Sequence, residues 1–245
     1  MRETARYLLQ RLAYEREHKM PGGIYQMLQV EMAYHSNRIE GSGLTLEQTQ
    51  SLFEGNTLSD CLKSDDVTEA VNHFRCLDIV LDLYDKSVTE EMIKTLQWTL
   101  KRDTYSSQRP EAVLGEYKKY PNVVGNTETA APKDVSGEIR KLVDRYNSIQ
   151  KPALDDILDF HVRFEKIHPF YDGNGRVGRL LMFKQCLKAD IVPFVIEEDY
   201  RAFYYRGLKN WETEKGYLRD TCLLMQDHMK SGLRYCRIAY LSEEK

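Results

Sequence analysis

The sequence predicts a mostly helical protein, and three observations carry that expectation. Apolar residues recur at helical intervals, clearest at positions 154, 157, 158, 160, 164 and 167. Glycine and proline punctuate the gaps, at Pro21-Gly22-Gly23, Gly41-Ser42-Gly43, Gly115, Pro121, Pro132 and Pro152. One stretch, Gly115 to Pro132, departs from the helical spacing. It carries β-branched and aromatic residues around Pro121-Asn122 and Gly125-Asn126, so it reads as a short hairpin or as a polar surface loop.

Taken in order, the expected helices are 2–18, 23–37, 45–54, 66–84, 89–101, 133–149, 153–167, 175–189, 197–210 and 216–240. The second follows Pro21-Gly22-Gly23, and Gly41 is a C-terminal stop beyond it. Thr45 with Gln48 forms a capping-box pattern that opens the third. Pro169 ends the seventh, because a proline disfavours helical backbone in the residue before it. Phe170 is expected to turn into the core and fix the loop that follows. There is no internal repeat and no low-complexity tract.

Composition excludes several classes of function. At 245 residues and 42% hydrophobic content, the chain can bury one substantial core. A net charge of −3 offers no basic excess for nucleic acid. The longest apolar runs are too short for a membrane span, and Met1 to Arg6 lacks the apolar core of a signal peptide. Five scattered cysteines (61, 76, 186, 222 and 236) have no CxxC spacing, and they read as reduced thiols of a cytoplasmic protein.

The chemistry concentrates in residues 168 to 179, His-Pro-Phe-Tyr-Asp-Gly-Asn-Gly-Arg-Val-Gly-Arg. Gly173-Asn174-Gly175 lets backbone N–H groups approach phosphate oxygens closely, and a helix starting there adds its positive end. Arg176 and Arg179 are three apart, hence on one helical face, and both can reach the same anion. Asp172 is a hard oxygen ligand suited to Mg²⁺ or Mn²⁺ bridging phosphates. His168 is the group that can take a proton near neutral pH.

Two weaker patterns overlap this run. Gly173-x-Gly175-x-x-Gly178, with Glu197 and Glu198 about 20 residues on, fits a dinucleotide fingerprint. That motif needs a preceding strand, whereas residues 154–167 have helical spacing. His161, Glu165 and His168 can be drawn as zinc ligands, but the spacing is not HExxH and no cysteine pair supports it. His161 reads instead as a hydrogen-bonded core residue.

His168 to Arg179 matches the HPFx(D/E)GNGRxxR signature at every specified position and so resembles the Fic-domain proteins. The likeness extends over roughly residues 30 to 210, and residues 1–20 and 215–245 match nothing usable. The resemblance implies an all-α, Fic-type helical bundle with a β-hairpin flap over the active site. Gly115-x-Tyr117-Lys118 sits where such flaps commonly open with Gly-x-Tyr-Arg, so a lysine replaces the usual arginine. It also implies a protein adenylyltransferase, which moves AMP from MgATP to a Ser, Thr or Tyr hydroxyl of a target protein or of itself. His168 would be the base and Asp172 the metal ligand. Gly173, Asn174, Gly175, Arg176 and Arg179 would hold the phosphates. Val124 and Gly125 of the flap, with Tyr204 and Tyr205, are the remaining nucleotide-site candidates, and a core-packing role for one tyrosine fits equally well. The target segment would pair with the hairpin near Val123–Thr127 as an added strand.

Ser36-Asn-Arg-Ile-Glu40-Gly41 is the second informative stretch. Ser36 and Glu40 are i and i+4, on one helical face. From the residues alone this is an ordinary surface helix end. It also matches the (Ser/Thr)xxxE(Gly/Asn) pattern of Fic inhibitory helices, which implies that Glu40 pairs with Arg179 and that Ser36 supports the same network. On this resemblance the chain divides into an N-terminal region, 1–60, carrying the inhibitory helix, and a catalytic core with C-terminal helices, 61–245. Related proteins often form dimers, so a homodimer is an expected assembly. The alternatives on the same site are transfer of another nucleoside monophosphate, hydrolytic removal of AMP from a modified protein, or a binding module without activity. No signature residue is lost, which argues against the last.

Overall fold

The computed structural model describes residues 4–58, 61–124 and 127–236. Ten α-helices are described: α1 Thr4–Glu17, α2 Ile24–Ile39, α3 Leu46–Phe53, α4 Ser64–Asp82, α5 Glu90–Lys101, α6 Val135–Asn147, α7 Leu154–Ile167, α8 Asn174–Lys188, α9 Arg201–Asn210 and α10 Gly216–Tyr235. The stretch between α5 and α6 holds a 3-10 turn, Ser106–Gln108, and a minimal antiparallel hairpin of β1 Val123–Val124 and β2 Thr127–Glu128. The hairpin reading of 115–132 therefore holds.

Local signals explain most boundaries. Thr45 closes a full capping box with Gln48 at the start of α3. Thr89 accepts from the Met92 N–H and caps α5. At the far end of α5, Asn72 Nδ2 donates to the carbonyls of Leu100 and Arg102 at 3.1 and 2.7 Å. Two expectations shift. Helix α2 runs two residues beyond 37, so Ile39 is helical and Glu40 is the C-cap residue. The helix expected over 197–210 opens with a 3-10 turn, Glu198–Tyr200, before α9.

Helix α8 is the axis of the fold. From Arg176 to Leu187 every residue is buried. A helix buried all round has to be surrounded, and α2, α4, α5 and α7 pack against it. Its two arginines therefore lie inside the protein, where each must be met by a hydrogen-bonding partner. The largest buried side chains elsewhere include Trp211, Phe160, Phe164 and Phe170. Phe170 is fully buried, as expected for the residue that pins the signature loop. Helices α9 and α10 pack on each other at the C-terminal side of the bundle.

Candidate active site

The site forms where α7 ends and α8 begins. His168 is the C-cap residue of α7, in left-handed backbone at φ 50°, ψ 62°. That conformation turns the chain out of the helix before Pro169. Gly173 then caps α8 at φ 87°, a conformation that favours glycine. The first intrahelical bond runs from the Val177 N–H to the Gly173 carbonyl. The N–H groups of Asn174, Gly175 and Arg176 precede it and have no partner within the helix. They are the open, positive end of a buried helix.

The loop between the helices is held by its own groups. Asn174 accepts from the Phe170 N–H at 2.8 Å and donates to the Phe170 carbonyl at 2.9 Å. Its side chain is 1% exposed. The Asn174 side-chain amide is thus spent on bracing the loop. Asn122 Nδ2 donates to the same Phe170 carbonyl at 3.0 Å. Lys118 Nζ donates to Asn122 Oδ1 and Thr129 Oγ1, both at 2.6 Å, and to the Ile167 carbonyl at 3.2 Å. Burial lowers its pKa to about 8. The lysine in place of the usual flap arginine thus ties the base of the hairpin to the end of α7.

His168 is held uncharged at neutral pH. Burial pushes its pKa below the ordinary imidazole value, and the nearby Lys118 ammonium adds to the effect. The Glu165 backbone and the Glu40 and Asp172 carboxylates pull the other way without restoring it. Asp172 is ionised. Burial alone would raise its pKa, but Arg176 and Lys101 outweigh that and hold it below the usual carboxylate range. Its side chain stays 43% exposed.

Each arginine is gripped from outside α8. Arg179 donates from Nε to Ser36 Oγ at 2.9 Å, and from a terminal nitrogen to the Ser36 carbonyl at 2.9 Å and to Glu40 Oε1 at 2.7 Å. Gly175 makes room for this contact, since a Cβ there would meet Glu40 Oε1 at 2.3 Å. Burial would raise the Glu40 pKa, but Arg179 and then Arg176 hold it below the ordinary range. Arg176 donates to Glu69, to Asn37 Oδ1 at 3.2 Å and to Asp172 Oδ1 at 3.4 Å. Helix α2 therefore holds both arginines. Three groups behind them are uncharged at neutral pH. Burial lowers His161 and His73 to about 3, and raises Glu165 to about 8 against the pull of Arg179. Glu40 is thus the ionised carboxylate that pairs with Arg179.

The tyrosine pair separates into two roles. Tyr204 is 1% exposed and bonds His161 Nε2 through its hydroxyl at 2.7 Å. It belongs to the core, the packing role expected for one of the two tyrosines, and places His161 in the core as expected. Tyr205 is 39% exposed and stays available. Val124 lies in β1, and Gly125 falls outside the described residues. No described group of three or more His, Cys, Asp or Glu side chains could hold a zinc ion.

Sequence reasoning passed over Glu69, Lys101, Asn37 and Gln97. Gln97 accepts from the Gly115 N–H at 2.6 Å and donates to the Asp172 carbonyl at 3.2 Å. Gln97 and Lys101 share the face of α5 that buries Ile93, Leu96 and Leu100. Polar side chains at core spacing were the available signal.

The profile of the Fic/DOC family matches residues 87–186. The protein named "Protein adenylyltransferase Fic" of Drosophila grimshawi is 30% identical over 184 residues, covering 72% of this chain and 36% of that protein. The same-named protein of Drosophila willistoni is 29% identical over 184 residues, covering 72% of this chain and 35% of its own. The chain thus spans about a third of the length of the curated relatives it matches. A solved Fic domain containing signaling protein from Bacteroides thetaiotaomicron superposes with a TM-score of 0.73 at 22% identity, over 96% of this chain and 99% of that one. A Fic family protein from Desulfovibrio desulfuricans gives 0.71 at 22% identity, over 94% and 71%. The matched residues contain the whole loop from His168 to Arg179, and the bundle around it superposes on solved Fic folds: this chain is a Fic-domain protein.

Proposed function

We propose that the chain is a protein adenylyltransferase. It transfers AMP from ATP to a hydroxyl of a target protein, or of itself, and Glu40 restrains it. One observation carries the reading. An uncharged His168, an ionised Asp172, Arg176, Arg179 and the open N–H groups of α8 all meet at the α7–α8 junction. The curated relatives carry the corresponding name.

In this reading the N–H groups of Asn174, Gly175 and Arg176 bind the α- and β-phosphates, adding the positive end of α8. Arg176 and Arg179 turn from their protein partners to the β- and γ-phosphates. Asp172 fits a divalent metal, because it is anionic and keeps an exposed edge. When bound there, Mg²⁺ or Mn²⁺ supplies positive charge to the pyrophosphate that leaves. His168 takes the proton from the acceptor hydroxyl as that oxygen attacks the α-phosphorus in line. Tyr205 lines the adenine side, and the target segment adds to the hairpin edge as a strand. An adenylyl adduct in the intact mass of the protein after incubation with ATP tests the assignment. An unchanged mass for a variant freed of Glu40, at saturating nucleotide, would count against it.

The lowered His168 pKa sets an expected pH profile. The neutral imidazole is the active form, so the rate falls only as pH drops through a value below 6.5, the ordinary imidazole pKa. For the Glu40→Gly variant, the half-loss of kcat/KM on the acid side should fall below pH 6.5. A half-loss at pH 7 or above would mean that another group is titrating. Metal dependence follows from Asp172. Asp172→Asn should raise the Mg²⁺ concentration for half-maximal transfer by about ten- to a hundredfold. Transfer that persists at full rate in excess chelator would remove the metal from the scheme.

A further inference from the structure

Lys101, the last residue of α5, fills a cage of oxygens beside Asp172. Its ammonium donates to Asp172 Oδ2 at 2.5 Å, to Ser106 Oγ at 3.1 Å and to Glu69 Oε1. Those three acceptors match the three donors an ammonium has. The side chain is 4% exposed. Glu69 and Asp172 each turn their second oxygen to Arg176. Lys101, Glu69, Arg176 and Asp172 therefore close a ring of alternating charge. The ring is built in from below. Asp65 accepts from the N–H groups of Tyr105 and Ser106 at 2.5 and 2.9 Å, which places the Ser106 hydroxyl. Thr104 Oγ1 donates to the Lys101 carbonyl at 2.8 Å, and Asn72 caps the same helix end.

Two carboxylates and a hydroxyl converging on one point are the hard-oxygen donors that a divalent cation takes. Here a covalently held cation occupies that point. We propose that Lys101 is a positioning residue that acts as a resident cation. It fixes Asp172 Oδ2 and leaves to metal only Oδ1, which also accepts from the Gly173 N–H at 2.6 Å and from Arg176 at 3.4 Å. By its charge it keeps free divalent metal out of the nucleotide-free site. Metal then enters together with a nucleotide, whose phosphates supply the missing ligands and offset the repulsion. That last step rests on the adenylyltransferase reading; the exclusion of free metal does not.

The test is a Mn²⁺ titration of the nucleotide-free protein, followed by the electron paramagnetic resonance signal of free Mn²⁺. The wild-type chain should take up no Mn²⁺ at submillimolar concentrations. Lys101→Met opens the cage between Asp172 and Glu69, and affinity should rise at least about tenfold. Adding Glu69→Gln or Asp172→Asn to that variant should reverse the gain. Lys101→Gln, which keeps polar contacts but not the charge, should move in the same direction if the Met variant does not fold. Submillimolar Mn²⁺ binding by wild type that Asp172→Asn abolishes would overturn the proposal, as would a folded Lys101 variant that binds Mn²⁺ no more tightly than wild type. A structural ion pair alone would alter the melting temperature and leave Mn²⁺ uptake unchanged. The readout contains no ATP, so it stands whether or not AMP transfer is observed.

Discussion

Glu40→Gly should transfer about ten- to a hundredfold more AMP from α-labelled ATP than the wild-type chain. The gain follows from what holds Arg179. Three of its hydrogen bonds run to Ser36 and Glu40, all from the end of α2, and its side chain is 4% exposed. The edge of the guanidinium formed by Nε and the terminal nitrogen in these bonds has to be released before it can hold a γ-phosphate. Glu165, the buried carboxyl behind it, is uncharged at neutral pH, so Glu40 is the ionised partner that the substitution removes. A charged hydrogen bond contributes roughly 1.5–3 kcal/mol, which sets the size of the expected gain. Arg179→Ala in the Glu40→Gly background should erase it. The Glu40 side chain is 33% exposed, so an incoming polyphosphate can compete from the solvent side. A plain helix-end glutamate would make the opposite forecast, with equal labelling by wild type and variant.

His168→Ala should lose several orders of magnitude of transfer, since general-base catalysis contributes on the order of 10²–10⁴ and acceptor orientation is lost with it. Its ATP affinity should stay within about tenfold, measured by calorimetry, because the phosphates are held by α8 and the arginines. The backbone at 168 is left-handed, which strains an alanine. His168→Asn is the matching control, since asparagine tolerates that conformation and cannot serve as the base. Transfer by either variant at the parental rate would remove His168 from the mechanism.

How much of this was readable depends on range along the chain. The run from His168 to Arg179 is local: one helix end, one turn and one helix start, each written in its own residues. The end of the helix before Pro169 and the burial of Phe170 followed from that text, whereas the left-handed backbone of His168 did not. The Ser36–Glu40 contact to Arg179 spans some 140 positions, and only the family resemblance made it legible. The ring of Lys101, Glu69, Arg176 and Asp172 joins three helices and a loop, and nothing in the sequence marks those charges as partners. Tyr204 and Tyr205 are adjacent in sequence, yet one is core and the other surface; helix rotation at α9 decides which. The motif does not show that the Asn174 side chain is engaged by the backbone N–H and carbonyl of Phe170.

The most direct measurement incubates the Glu40→Gly variant with ATP labelled at either the α- or the γ-phosphate, then counts label that stays with denatured protein. Adenylyl transfer predicts stable α-label, no γ-label, and loss of the α-label in Glu40→Gly with His168→Ala. Label arriving from the γ-position, or no label from either at saturating MgATP, would contradict it.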